Sequence, residues 1–165
     1  MFVFLITFLS IFAVSPAFAS DAFYGEVVGI TDGDTIKVLH DGAVTKVRLA
    51  NIDCPEHNQS FGQRAKEFTA EYVFGKIVTI DNEGTDRYGR TIGEVIPNDE
   101  PADLNHALVA NGLAWVYQKY CHDTSFYQSE SIAQAQHIGL WADPNAQPPW
   151  EFRRQEKQAK ANSKP

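Results

Sequence analysis

Within residues 23–52, three runs of β-branched and apolar residues follow one another with almost no room between them. Glu26-Val27-Val28-Gly29-Ile30 leads into Thr31-Asp32-Gly33. Thr35-Ile36-Lys37-Val38-Leu39 leads into His40-Asp41-Gly42-Ala43, and residues 44–52 complete the set. An Asp-Gly pair between two alternating runs is a strong hairpin signal, because a tight hairpin turn needs positive φ at both of its central residues. Strand side chains alternate between faces, so Val47 and Leu49 point one way in the third run and Arg48 the other.

The remaining pattern adds two strands and about three helices. Ser60-Phe61-Gly62-Gln63 fits a capping box with Ser60 as N-cap and Gln63 three residues on. Phe61, Ala65, Phe68 and Tyr72 then recur at helical spacing up to a stop at Gly75. Residues 77–80 and 91–96 read as short strands, connected through Asp86-Arg87-Tyr88-Gly89-Arg90. A second helix is predicted over 103–112 with Asp103 as N-cap. A third is predicted over 125–139, with Gln128 three residues after Ser125. Clustered short strands with few helices predict an α+β fold, a five-stranded OB-type barrel with packed helices, rather than a doubly wound sheet.

Composition narrows the function. The chain has 165 residues, enough for about one domain, and 14 Lys+Arg against 21 Asp+Glu give a net charge of −7. That balance argues against a protein that holds nucleic acid by bulk charge. Two Cys and no C-x-x-C exclude a disulfide scaffold and a thiolate zinc site. Residues 1–19 carry no charged side chain and pass from an apolar run to Ala17-Phe18-Ala19, the layout of a secretory signal cleaved before Ser20. The chain is therefore expected to be exported, to a periplasm or beyond, with no membrane anchor after cleavage. The organisation expected is a signal peptide over 1–19, a domain over 20–150 and a polar tail over 151–165. The tail has five basic residues (Arg153, Arg154, Lys157, Lys160, Lys164) against two acids. It reads as a solvated helix end or a weak nucleic-acid tether.

Several acids and arginines stand where the strand runs end. Asp32-Gly33-Asp34 is ordinary turn chemistry when taken alone. It is not an EF-hand, because Lys37 occupies the position of that loop's obligatory Gly. Hairpin-related strands would bring Asp34 near Asp53 and Glu56, and three acids together repel unless positive charge neutralises them. Oxygen donors without soft ligands suit Ca²⁺ or Mg²⁺. Arg48 lies five residues before Asp53, and Arg90 closes the 86–90 turn. A hard cation beside guanidinium groups suits a centre where charge builds on a transferring phosphoryl group.

Taken together, Asp32-Gly33-Asp34-Thr35, Val47-Arg48-Leu49, Ile52-Asp53-Cys54-Pro55-Glu56, Asp86-Arg87-Tyr88-Gly89-Arg90 and Asn111-Gly112-Leu113-Ala114 resemble the thermonuclease (staphylococcal nuclease-like) family over about residues 24–141. Pro148-Pro149-Trp150-Glu151-Phe152-Arg153 resembles the end of many bacterial members. The resemblance implies an OB-fold and a Ca²⁺-dependent phosphodiesterase that cuts single-stranded or denatured DNA and RNA, as a monomer, leaving 3′-phosphate ends. It implies Asp34, Asp53 and the backbone carbonyl of Cys54 as Ca²⁺ ligands, with Asp32 behind them. It implies Glu56 as the residue that orients or deprotonates water, and Arg48 and Arg90 as phosphate-binding groups. Cys54 stands where the best-known member has Thr, a change that a carbonyl ligand survives. A guanidinium keeps its proton at neutral pH, which favours electrostatic stabilisation by Arg90 over proton donation.

Other residues leave alternatives open. Tyr88 and Tyr120 could stack bases or pack. Trp115 reads as core, and Trp141 and Trp150 as pins for the C-terminal segment. Cys54 and Cys121 could bridge in an oxidising compartment or remain two thiols. The rivals in function are a noncatalytic OB-type binding module and a Ca²⁺-stabilised envelope protein.

Overall fold

A computed structural model describes residues 22–163, so the predicted signal and cleavage site lie outside the described residues. Strands β1 (Phe23–Asp32), β2 (Thr35–His40), β3 (Ala43–Leu49), β5 (Ile77–Thr85) and β6 (Thr91–Pro97) close a barrel in the order β1-β2-β3-β6-β5. All neighbours are antiparallel except β3 and β6, which run parallel. The predicted Asp41-Gly42 hairpin is present: φ is 47° and 77°, and His40 pairs with Ala43. Alternation fills the barrel with Val27, Ile36, Val38, Val47, Leu49, Val78, Ile80 and Val95, all buried.

The third run is not one strand to residue 52. It breaks at Asn51, whose φ of 67° is a left-handed conformation that Asn tolerates. A two-residue strand β4 (Ile52–Asp53) then leaves the barrel and pairs with β7 (Trp115–Val116). Buried Asn105 holds the break: its amide donates to the carbonyls of Ala50 (3.0 Å) and Gly93 (3.3 Å), and its carbonyl oxygen accepts the N–H of Val95 at 3.1 Å. The departure of β4 from the barrel wall is what turns Asp53 toward Arg48.

Against the about three helices expected, the described residues form four α-helices, α1 (Gly62–Val73), α2 (Leu104–Ala110), α3 (Thr124–Ala135) and α4 (Pro149–Asn162), with a short 3-10 turn at Gly139–Ala142. None of the described helices is long and apolar enough to cross a membrane. Helix α1 does not begin with the predicted capping box. Its cap is Phe61, left-handed at φ 66° with no side-chain cap, and Gln63 instead bonds Glu67 at 2.9 Å. The cause is tertiary. A Cβ on Gly62 would stand 1.9 Å from the carbonyl oxygen of Glu56, so the helix start is pressed onto the 55–59 loop and only glycine fits. Asp103 caps α2 as predicted, accepting the N–H of His106 at 2.8 Å. For α3 the cap is Asp123 rather than Ser125, whose N–H Asp123 accepts at 2.8 Å.

Glu130 on α3 accepts the N–H of Val116 at 2.9 Å and so ties β7, and through it β4, to the helix. Burial raises its carboxyl above the ordinary 4.5, against the lowering effect of that hydrogen bond. A raised acid contributes stability below its unfolded pKa and loses it as pH rises through the folded value. Glu130→Gln keeps the acceptor and removes the charge. It is expected to raise the melting temperature at pH 7, with the difference closing as pH falls below 4.5. A variant less stable than wild type at pH 7 would contradict this.

Candidate active site

The β1–β2 turn, the end of β3, the 53–56 segment and the 86–90 turn converge on one cleft of about 990 Å³. Each wall has a local cause. Thr69 of α1 donates to the carbonyl of Gly33 at 2.6 Å and fixes the β1–β2 turn, while the Oδ1 of Asp32 accepts the N–H of Asp34 at 3.4 Å. Thr35 pairs with Arg48 across β2 and β3, which sets the Arg48 side chain beside Asp34. Asp86 builds the β5–β6 turn, accepting the N–H groups of Tyr88 (2.8 Å) and Arg90 (3.0 Å) and the Nε of Arg90 at 2.7 Å.

Arg48 is the hub. One nitrogen lies 2.6 Å from the Oδ2 of Asp34 and the other 2.8 Å from the Oδ1 of Asp53. Asp34 also accepts the N–H of Cys54 at 2.7 Å and the hydroxyl of Thr35 at 3.2 Å. Burial pushes the Asp34 carboxyl up to about 6, outweighing the attraction of Arg48, and the Asp32 charge adds to the rise. Burial likewise raises Asp53 above the ordinary range, despite its bonds to Arg153 and the charge of Arg48. Two carboxylates are thus held out of water at a cost that added positive charge would relieve.

Arg153 was not singled out as a site residue from the sequence. One of its nitrogens donates to the Oε1 of Glu56 (2.7 Å) and the Oδ1 of Asp53 (3.2 Å), and the other to the Oδ2 of Asp53 (2.7 Å). The stretch read as a solvated helix end or a weak nucleic-acid tether is largely helix α4, with the Arg153 side chain turned into the cleft. Trp150 and Arg153, three apart after Pro148-Pro149, share a helix face, and that spacing was the available signal. The three acids are joined through guanidinium groups, not through one another. Among the described residues, no three His, Cys, Asp or Glu side chains form a ready metal cage. The repulsion expected to require a cation is here met in part by Arg48 and Arg153. The buried donors are still oxygens alone, which fits a hard cation such as Ca²⁺, provided that Asp53 is released.

Of the sequence-predicted residues, Asp32, Asp34, Arg48, Asp53, Cys54, Glu56, Tyr88, Arg90 and Tyr120 all line this cleft. The guanidinium of Arg90 bonds Asp86 rather than the three acids. Tyr88 is 70% exposed with Arg87 4.9 Å from its ring centre, and Tyr120 is 57% exposed with Lys119 at 5.1 Å. Exposed aromatic faces beside cations suit base stacking. Trp115 lies between Trp141 (4.3 Å) and Trp150 (6.0 Å), as expected of pins for the C-terminal segment. The possible Cys54–Cys121 bridge is absent and both are buried free thiols. Different elements hold them: the Cys54 sulfur lies beside Gly33, and Cys121 donates to the carbonyl of Asp123 at 3.5 Å. Burial raises the Cys54 thiol well above its ordinary value, which leaves no thiolate for attack.

The sequence model of the family described as "Staphylococcal nuclease homologue" matches residues 46–143. A micrococcal nuclease from Shigella flexneri is 44% identical over 153 residues, covering 87% of each chain. An uncharacterized endonuclease from Haemophilus influenzae is 42% identical over 154 residues, covering 93% of this chain and 85% of that protein. A second uncharacterized endonuclease, from Escherichia coli O157:H7, is 38% identical over 138 residues, covering 84% of this chain and 89% of that protein.

Proposed function

Since the chain belongs to the staphylococcal nuclease homologue family and is a nuclease, we propose that it is an exported, Ca²⁺-dependent endonuclease. It hydrolyses DNA and RNA with little sequence specificity and leaves 3′-phosphate and 5′-hydroxyl ends. The observation that carries this reading is the convergence of Asp34, Arg48, Asp53, Glu56 and Arg90 on one cleft rimmed by Tyr88 and Tyr120.

Asp34, Asp53 and the carbonyl of Cys54 would hold Ca²⁺, which when bound supplies positive charge to a phosphate oxygen. Arg48 donates its fork to the phosphate and steadies the charge that builds as water adds. Glu56 takes the proton of that water. As the water oxygen bonds to phosphorus, the bond to the 5′ oxygen breaks, and that oxygen leaves as a hydroxyl after taking a proton from solvent. Arg90 faces the cleft from the opposite turn and stabilises the departing oxygen as a cation. Tyr88 and Tyr120 stack whichever bases flank the scissile bond, which favours unpaired strands and gives little base preference.

Purified protein is expected to cut denatured DNA and RNA with Ca²⁺ and to stop with a chelator. The fragments should accept a 5′ label from polynucleotide kinase without prior phosphatase treatment. Cutting that persists in chelator would remove the Ca²⁺ requirement, and fragments bearing 5′-phosphates would reverse the bond assigned. Retention of nucleic acid without hydrolysis would favour a binding module. Export is tested separately by N-terminal sequencing of the secreted form, expected to begin at Ser20.

A further inference from the structure

Helix α4 packs outside the barrel and is fastened to the loop that carries the acids. Trp150 stacks on Tyr117, ring centres 5.4 Å apart and planes within 6°. Asn58 donates to Glu156 at 2.9 Å, and the Gln59 side chain donates to the carbonyl of Gln147 at 2.6 Å. These contacts flank Arg153 and tether it beside Asp53 and Glu56 without using either acid.

On the reading that this site takes a divalent cation through Asp53, we infer that Arg153 is a built-in competitor for that cation. It occupies Asp53 while the cation is away and must yield it for the cation to load, so α4 sets the cation concentration at which the site fills. Three observations carry this. Both oxygens of Asp53 are already taken: Oδ1 by Arg48 (2.8 Å) and Arg153 (3.2 Å), and Oδ2 by Arg153 (2.7 Å). Of the two guanidinium groups, Arg153 is the one able to leave, since its side chain is 41% exposed and that of Arg48 is 16% exposed. Charge supplies the direction. Among the described residues, the salt bridges of Asp34, Asp53 and Glu56 run to Arg48 and Arg153, and with Asp32 beside Asp34 the acids outnumber the guanidinium groups. Exchanging a singly charged guanidinium for a doubly charged ion at Asp53 lowers that excess of negative charge by one. Because Arg153 is tethered, it competes at high effective concentration, and its release is reversible.

The test is calorimetric titration of the nucleic-acid-free full chain with Ca²⁺. Arg153→Gln should tighten Ca²⁺ binding about tenfold or more, on the scale of a close charge pair discounted for exposure. Arg154→Gln removes the same charge from the next position. Arg154 is well exposed and only 4.0 Å from Glu151, so that variant should shift the affinity less than about twofold, as expected of an exposed charge. Arg153→Lys keeps the charge without the two-pronged grip and should fall between wild type and Arg153→Gln; it carries the test if circular dichroism shows the Gln variant unfolded. Equal Ca²⁺ affinity in wild type and the Arg153 variants, weaker binding in those variants, or equal shifts at 153 and 154 would overturn the inference and leave the Ca²⁺ reading standing. No binding by any form would overturn both.

Discussion

Arg48→Ala is expected to lower kcat/KM for denatured DNA by about 10²- to 10³-fold, the usual worth of one preorganised group aimed at developing charge. The same change should destabilise the fold by about 3 kcal/mol, the low end for breaking a buried ion pair. Both effects follow from one geometry. Arg48 bridges two carboxylates that burial already keeps raised, at 2.6 and 2.8 Å, so its removal leaves Asp34 without a cationic partner. Asp53 retains Arg153, which is why the loss falls at the low end. Arg48→Lys separates the two roles. It restores a charge near the acids and should recover much of the stability measured by urea unfolding. A point charge lacks the planar fork that binds two phosphate oxygens, so activity should remain down by about tenfold or more. Wild-type kcat/KM in folded Arg48→Ala would end the phosphate-binding assignment.

That dual role was half legible in the sequence. Strand alternation put Arg48 opposite Val47 and Leu49, and those two are buried while Arg48 faces the cleft. The Asp-Gly turn and the closely spaced β runs were enough for the barrel, because these signals are local and each is satisfied within a few residues. What was misread depends on contacts distant in sequence. Ser60-x-x-Gln63 is a good capping box, yet Gly62 is pressed against the Glu56 carbonyl and the helix starts from a left-handed Phe61 instead. Tertiary packing overrode local preference there, at a backbone cost of roughly 1–3 kcal/mol. Arg153 lies 100 residues from Asp53 and 97 from Glu56. An arginine in a stretch of exposed charges looks solvated until a stacked Trp150 two positions after Pro148 turns one face of the helix inward. The inference of a cation from crowded acids left out Arg153 for the same reason: part of the neutralising charge comes from far along the chain.

Glu56→Gln should lower kcat by about 10²- to 10³-fold with KM changed little, within the usual range for a positioned proton acceptor. Gln matches Glu in shape and still offers an oxygen to Arg153, which donates to Glu56 at 2.7 Å. The segment around it is held by backbone: the Glu56 carbonyl accepts the N–H of Gln59 at 2.9 Å, and α1 begins against it. The fold and the cleft should therefore survive, and what is lost is the ability to take a proton from water. A uniform loss of substrate binding would instead raise KM with kcat intact, the signature of an interaction equal in ground and transition states. Glu56→Asp tests placement: it keeps the carboxylate but draws it back by one methylene, and it should recover only part of the rate. If Glu56→Gln turned over at the wild-type rate, hydrolysis by this cleft would have to draw its base from elsewhere, and Asp53, held by two guanidinium groups and 1% exposed, is poorly placed to serve.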